Sequence, residues 1–311
     1  MLIAGPNLTI DRTSSIAELR PGEVLRVADV TVTPGGKGLN VARAARALGV
    51  PASLVAFVPG HTGRAAAELI AAEGVALTAV PVGGEIRSTS VILEPGGRAT
   101  VLNEPGPALA EGDWEALEAA VERALGDHRV LVCSGSLPPG SPDDGYARLS
   151  RDRLAVVDAG GAVLGAALAA GPAVVTPNLA EAEGLLHGRA DESVEASPDA
   201  RGHAEAAASA LVRAGARAAV VTAAAAGAAV CAGGAVTWLA APRVSVVNPI
   251  GAGDVLTAAL AGALEAGEDV VSAARRGVAA AAASVECGRA GELDVARMRE
   301  LLAVGTSTPA G

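Results

Sequence analysis

The chain opens on an apolar run, residues 1 to 10, that predicts a buried strand. Two later segments, "VLRVADVTVTP" (24–34) and "TSVILEP" (89–95), alternate apolar and polar side chains with period two. They predict antiparallel strands with one solvated face, forming a small sheet set apart from the rest.

The remainder follows a βα rhythm. A helix is expected over 40–49, a strand over "ASLVAFV" (52–58) and a helix over "GRAAAELIAAEG" (63–74). Further on come a helix in "WEALEAAVERAL", strands in "RVLVCSG", "LAVVDAG" and "AVVTPN", and a helix in "HAEAAASALVRAGA" that feeds the strand "RAAVVTA". Short, nearly uninterrupted apolar strands between amphipathic helices imply an α/β fold, a doubly wound parallel sheet covered on both faces. Ligands of such sheets sit beyond the carboxyl ends of the strands. Asp11, Ser134, Asp158, Asn178 and Thr222 each fall at or just after a strand. No internal repeat is visible, and the polar stretch 189–203 reads as a surface loop.

One window, residues 218–242, carries no charge and is long enough to cross a bilayer. Glycines at 227, 233 and 234 break it into two short β-branched runs, Ala218 to Thr222 and Ala235 to Leu239, so no membrane span is expected. A net charge of −10 argues against a basic face for nucleic acid or anionic lipid. Cys133, Cys231 and Cys287 are far apart, with no CxxC pair and no HExxH, and read as buried residues of a reducing compartment. The start "MLIAGPNLTID" lacks the basic and apolar regions of a signal peptide, so a cytoplasmic location is expected.

Residue usage narrows the chemistry. There are 23 arginines but one lysine, Lys37, no glutamine, and five asparagines, at 7, 40, 103, 178 and 248. Lys37 and Asn40 share the glycine-rich segment "TPGGKGLNVARAARALG", and Asn248 precedes "NPIGAGDVLTAALAG". A compact ammonium differs from a guanidinium fork at a crowded site, which makes Lys37 a functional candidate. In the second segment, Gly251, Ala252 and Gly253 can turn successive backbone N–H groups toward an anion at a helix start. Asp254 then has two readings: an ordinary helix cap, or a carboxylate standing beside that anion. P-loop, GxGxxG and GxSxG signatures are absent.

The two glycine segments, about 215 residues apart and each leading into a helix, resemble the paired signatures of the ribokinase/PfkB family of carbohydrate kinases. "NLTIDRT", "LRPGEVLRV", "LNEPGP" and "SGSLPPG" resemble its phosphosugar branch. The resemblance covers nearly the whole chain. It implies one ribokinase-like kinase domain over 1–311, a mostly parallel sheet with helices on both faces, and a small β lid formed from about 12–34 and 85–105. ATP and Mg²⁺ are the implied cofactors. The implied reaction is γ-phosphoryl transfer to a sugar phosphate, with fructose 1-phosphate as the expected acceptor and fructose 1,6-bisphosphate as product. An unphosphorylated sugar or a nucleoside as acceptor, and a non-catalytic sugar-phosphate sensor, remain open readings. Exposed lid edges imply a homodimer.

By resemblance, Asp254 takes the acceptor proton and the amides of Gly251, Ala252 and Gly253 hold the developing charge. The helix N-terminus is expected to keep Asp254 ionised at neutral pH. Asp11 accepts from sugar hydroxyls, or else forms an Asx turn. Gly35 and Gly36 admit the sugar to the backbone, and Asn40 binds a hydroxyl. Lys37 and Arg87 meet the substrate phosphate, although an edge-strand arginine is more often simply solvated, and Ser136 is a further substrate-binding residue. Asn178 and Glu181 match an N-x-x-E motif that organises Mg²⁺ through water; Asn178 is also a plain helix cap. Thr222, Gly227 and Asn248 fall on the nucleotide side, with the helix at 277–288 walling the adenine. The chain departs from the family pattern at Ile86 and Thr89, at Thr176 in place of a lysine, and at Ala224 in place of a glycine.

Overall fold

The computed structural model describes residues 1–95, 98–188 and 191–305. The first half of the chain comprises β1 (Leu2–Ala4), β2 (Thr9–Ser15), β3 (Val30–Gly35), α1 (Lys37–Ala47), β4 (Ser53–Pro59) and α2 (Gly60–Ala72). It continues with β5 (Ala76–Val82), β6 (Arg87–Leu93), β7 (Ala99–Asn103), α3 (Asp113–Leu125), β8 (Val130–Ser134) and α4 (Gly145–Ser150). Then follow β9 (Leu154–Asp158), α5 (Gly161–Leu168), β10 (Val174–Val175), α6 (Leu179–His187), α7 (Ala200–Arg213) and β11 (Ala218–Ala223). The last elements are β12 (Gly227–Ala232), β13 (Ala235–Ala240), α8 (Ala252–Glu265), α9 (Val270–Ser284) and α10 (Val295–Gly305).

Nine strands form one sheet in the order β13-β12-β11-β10-β9-β8-β1-β4-β5. From β11 through β5 every neighbour is parallel, and β12 and β13 close one edge as an antiparallel hairpin. Alternate residues along each strand enter different cores. Met1 and Ile3, Leu54 and Ala56, and Val130 and Val132 pack under α1, α2, α8, α9 and α10. Leu2 and Ala4, Val55 and Phe57, and Leu131 and Cys133 pack under α3 to α7. Burial on both faces explains why these strands read as continuous apolar runs. The scarce aromatics are spread out. Phe57 meets Trp114 with ring centroids 6.3 Å apart, Tyr146 is fully buried, and Trp238 on β13 lies under the guanidinium of Arg201 at 5.6 Å.

The second sheet has four strands in the order β3-β2-β6-β7. It differs from the expected antiparallel arrangement because β2 and β6 run parallel, joined by a long crossover through β3, α1, β4, α2 and β5. Residues 24–29 form no strand, and Val24 and Val27 lie exposed. The opening buried strand ends at Ala4, and Thr9 and Ile10 already belong to the small sheet. Two strands escaped the pattern: β5, an edge strand that tolerates Pro81, and β12, which begins at Gly227 where a turn is expected. The 189–203 segment holds a short 3-10 turn at Glu192–Ala196 and the start of α7; residues 189 and 190 lie outside the described residues. Among the described residues no helix is long and apolar enough to cross a membrane, and the uncharged 218–242 window contains β11, β12 and β13.

Helix α1 starts at Lys37, three residues earlier than expected, because its first turn rests directly on the end of β1. A Cβ on Gly38 would lie 2.6 Å from the Cα of Gly5, and one on Gly5 would lie 2.8 Å from the Cα of Gly38. This backbone contact fixes where Lys37 and Asn40 point. Gly38→Ala is therefore expected to lower stability by about 1–3 kcal/mol, read as a lower urea midpoint with an unchanged m-value.

Candidate active site

The carboxyl ends of the parallel strands and the inner face of the small sheet enclose a cleft of about 860 Å³. Asn7, Gly36, Lys37, Arg87, Asn103, Glu104, Ser134, Ser136 and Glu181 are among the residues lining it. Gly36, at φ 115°, turns the chain from β3 into α1. Gly35 lies so close to Asp11 that a Cβ there would sit 2.1 Å from Asp11 Oδ2. A side chain at 35 would push that carboxylate out of place. Asp11 Oδ1 and Asn7 Oδ1 are buried without a hydrogen-bond partner. Burial pushes the Asp11 carboxyl above its usual range, against the pull of Thr89 and Thr9.

The C-terminal glycine turn meets this loop. Gly251, in a left-handed conformation at φ 84°, caps α8, and Asp254 is the third residue of that helix with no capping bond. Asn40 Nδ2 donates to Asp254 Oδ2 at 2.8 Å, across 214 residues of sequence. The loop through Gly291 is wedged between them: a Cβ on Gly291 would lie 2.8 Å from Asn40 Cα, and one on Gly251 would lie 3.0 Å from the amide nitrogen of Gly291. Of the three amides in this turn, that of Ala252 donates to Pro249 O at 3.4 Å, near the limit of a useful bond.

The expectation that the helix terminus lowers the Asp254 pKa is overturned. Asp254 is 5% exposed, and burial, reinforced by the negative charge of Asp158, raises its carboxyl to about 7 against the opposing pull of Lys37 and Asn40. A favourable helix dipole acts within one turn and is worth at most ~2 kcal/mol, which complete desolvation exceeds.

Lys37 also departs from expectation. Its Nζ donates to Asp158 Oδ1 and to Glu181 Oε1, each at 3.2 Å. Burial works against the ammonium, but Asp158, Glu181 and Asp254 together raise its pKa. Because α1 begins at Lys37 itself, the side chain reaches the ends of β9 and α6, where two carboxylates compete for it. At most one of its three N–H groups is left for a phosphate. Asp158 is buried and takes a second bond from Ser134 Oγ at 3.1 Å.

Asn178 and Glu181 form a reciprocal capping box at the start of α6, with bonds of 2.7 and 3.0 Å. The cap reading of Asn178 is thus realised, while Glu181 Oε1 still faces Lys37 and the cleft. Arg87 is not on an edge, since β6 lies between β2 and β7. Its guanidinium is half-buried and makes only long bonds of 3.3 to 3.4 Å to the carbonyls of Asn7 and Glu104. Ser136 accepts from Asn7 Nδ2 at 3.1 Å, and Tyr146 OH steadies the same loop by donating to Gly135 O at 3.0 Å.

On the other side, Asn178 bridges Thr222 in parallel, and a 3-10 turn at Ala224–Ala226 leads to Gly227 at φ 137°. A Cβ on Gly227 would lie 2.2 Å from Leu239 O. Ala224 holds φ at 44°, so the position does demand the left-handed region, and the turn forms with alanine at a cost of about 1–2 kcal/mol. The departure from the family pattern at 224 therefore costs strain rather than the turn. Thr176, where a lysine is usual in the family pattern, is buried and shares a 3.0 Å hydroxyl contact with Thr257 of α8. Asn248 spends its side chain on Gly288 O and the Ile250 amide, which fixes the approach to the glycine turn. The helix expected to run to 288 ends at Ser284, and its Gly277 is pressed against Leu256 of α8.

Four participants went unnoticed in the site prediction. Asn7 and Asn103 carried a signal, being two of only five asparagines. Arg43 and Glu73 carried none, since both are common residue types in exposed-looking helical segments.

The pattern of the pfkB family of carbohydrate kinases matches residues 7–296. The chain belongs to that family. A 1-phosphofructokinase of Haloferax volcanii is 33% identical over 286 residues, covering 89% of this chain and 88% of the relative. The structure of phosphofructokinase-2 from Escherichia coli in complex with fructose-6-phosphate is 27% identical, with a TM-score of 0.85 over 98% of this chain and 99% of that one. A possible 1-phosphofructokinase from Thermotoga maritima shares the fold at 22% identity, with a TM-score of 0.83 over 97% of both chains. Membership of the pfkB family makes the protein an ATP-dependent carbohydrate kinase with a ribokinase-like fold.

A base with a raised pKa must lose its proton before it can accept another. With Asp254 as the base that the family resemblance implies, activity is expected to be lost as pH falls through about 7. The acid limb of kcat/KM for the sugar acceptor is expected near that pH, falling about tenfold per unit below it, rather than near the ordinary aspartate value of about 4. A stopped pH series with saturating nucleotide measures this.

Proposed function

We propose that this kinase phosphorylates a sugar phosphate to a bisphosphate, with fructose 1-phosphate as its acceptor. The observation that carries the reading is the 2.8 Å bond from Asn40 to Asp254 beside Lys37, whose ammonium feels the Asp254 charge and which lines the same cleft as Arg87 and Ser136. The guanidinium of Arg87 faces a cleft with only weak carbonyl partners, the state of a cation ready for an anion. Lys37 adds positive potential at the junction of the sugar and nucleotide sides and has one N–H to offer.

In this reading Asp11, Asn40 and the backbone at Gly35 and Gly36 fix the sugar hydroxyls. The orphaned oxygens of Asp11 and Asn7 are acceptors that substrate hydroxyls would satisfy. Asp254 takes the proton of the acceptor hydroxyl as that oxygen bonds to the γ-phosphorus, while the bond from phosphorus to the bridging oxygen breaks and ADP leaves. The amides of Gly251, Ala252 and Gly253 receive the charge on the transferring oxygens. Thr222, Gly227 and Asn248 shape the nucleotide side. The small sheet, a lid over the sugar, excludes water whose attack would waste ATP.

Among the described residues no group of three or more His, Cys, Asp or Glu side chains is placed to hold a metal directly. Glu181 and Asp158 already share an ammonium, so a fully hydrated ion suits the donors better than a stripped one. Mg²⁺ held through water by Glu181 and Asn178 would neutralise triphosphate charge, in keeping with its reluctance to shed its shell.

Fructose 1-phosphate, fructose 6-phosphate, tagatose 6-phosphate, fructose, ribose and adenosine are the acceptors to compare. Turnover confined to unphosphorylated acceptors would overturn the sugar-phosphate reading. Asp254→Asn is expected to cost about 10² to 10⁴ in kcat with the fold intact by circular dichroism.

The register of the small sheet puts Asp11, Thr89 and Asn103 on one face and Val30, Val32, Ile92 and Leu102 on the other. Val30 and Val32 are 40% and 42% exposed and Leu102 is 60% exposed, which leaves an apolar patch that a second copy of the chain would cover. Light scattering is expected to give a dimer for the parent protein and a monomer for Val32→Glu/Leu102→Glu.

A further inference from the structure

Arg43 lies one turn after Asn40 on α1 and touches neither the cleft nor Asp254. Its side chain is only 14% exposed and each of its three nitrogens donates. Nε and Nη2 grip Glu73 at 2.6 and 2.8 Å, Nη2 also donates to Pro34 O at 2.6 Å, and Nη1 donates to Asn40 Oδ1 at 3.0 Å. Arg289 adds a 3.2 Å bond to the same Glu73 carboxylate. The fork therefore ties the end of α2, the strand entering the glycine loop and α1 together.

The Asn40 amide has two ends of nearly equal shape and opposite hydrogen-bonding character. A guanidinium has no acceptor, so it tolerates only the oxygen end. Once that end is held, Nδ2 must face Asp254. Flipped by half a turn, the amide would set its oxygen against a carboxylate and its NH₂ against a guanidinium, two repulsive contacts instead of two bonds.

We propose that Arg43 is a positioning residue: by holding Asn40 Oδ1 it forces the Asn40 amide to donate to Asp254, and so sets the orientation and readiness of the proton acceptor. The inference rests on the kinase reading of the site.

Asp254 is buried among charges of both signs. Asp158 on β9 and Glu181 on α6 disfavour its ionised form, Lys37 on α1 favours it, and the Asn40 amide is its neutral donor. The pairs Arg43–Glu73 and Arg289–Glu73 lie behind that amide. Releasing the amide removes a bond made to the ionised carboxylate and leaves the repulsive neighbours in place.

Arg43→Met removes the donors and keeps most of the stem. The acid limb of kcat/KM is expected to move alkaline by about one unit, so that activity falls about tenfold near neutral pH and much less in alkali. In a double-mutant cycle, Arg43→Met is expected to add little to the loss already caused by Asn40→Ala. Equal, additive losses in the two backgrounds, or an Arg43→Met profile that overlays the parent, would overturn the proposal. Glu73 is left with one partner fewer, so Arg43→Met/Glu73→Gln is the companion variant. The same alkaline shift is expected there, and restoration of parental kinetics would show that an orphaned charge was at fault and sink the proposal. Arg43→Lys keeps a cation on Glu73 but cannot reach all three acceptors at once. It is expected to fold and to shift the profile in the same direction, which keeps the test alive should the Met variant fail to fold. Absence of kinase turnover in the parent protein would instead defeat the proposed function, an outcome read before any variant is made.

Discussion

A single ammonium group holds the catalytic end of this protein together. Asp158, Glu181 and Asp254 come from a strand end and two helix starts, and each would pay heavily for losing water beside the other two. Lys37 sits at their common centre, bonded to two and attracting the third. An arginine would bring a wider, planar fork to a spot that calls for a compact charge. The rest of the site is arranged around that pairing. The glycine contact between β1 and α1 delivers Lys37 to the strand ends, and the loop at Gly291 clamps Asn40 against the start of α8. A chain with 23 arginines keeps its one lysine here.

Much of the architecture was legible because both faces of the sheet are covered. Strands such as Leu2–Ala4 and Val130–Ser134 feed two cores and so show as unbroken apolar runs. What failed to register were elements whose identity is set by neighbours. β12 begins at a glycine and exists because β11 and β13 flank it. The parallel pairing of β2 with β6 depends on where the intervening βα units put the chain, which period-two alternation does not encode. Glycine-rich signatures located the loops of the site, since glycine marks backbone geometry directly. They were silent on long-range charge pairing. Lys37 meets partners 121 and 144 residues away, and the state of Asp254 follows from a depth of burial that no helix-start pattern reports. Arg43 looked like any other arginine on an amphipathic helix.

The stretch from Thr176 to Gly227 shows how a family pattern survives substitution. Alanine at 224 adopts the backbone a glycine would take, because β11 and β12 are paired on either side and leave the connecting turn no alternative. Gly227 has no such latitude: the carbonyl of Leu239 occupies the space a side chain would need. At 176 the hydroxyl pair with Thr257 replaces a charge by a short internal tie between β10 and α8. One departure is absorbed by backbone strain and the other by a buried hydroxyl pair.

The thin supply of aromatic side chains has an optical corollary. Trp114 is sealed in the core beneath Phe57 and pressed against Gly145, a few residues beyond the cleft-lining 134–141 loop. Trp238 lies under a guanidinium on the hairpin that follows the nucleotide-side turn. The two indoles therefore report from different dielectric surroundings at opposite flanks of the molecule. Replacing either by phenylalanine leaves a protein whose fluorescence comes from one known place, so that events near the 134–141 loop and near the β11–β12 turn can be timed separately without attaching a dye.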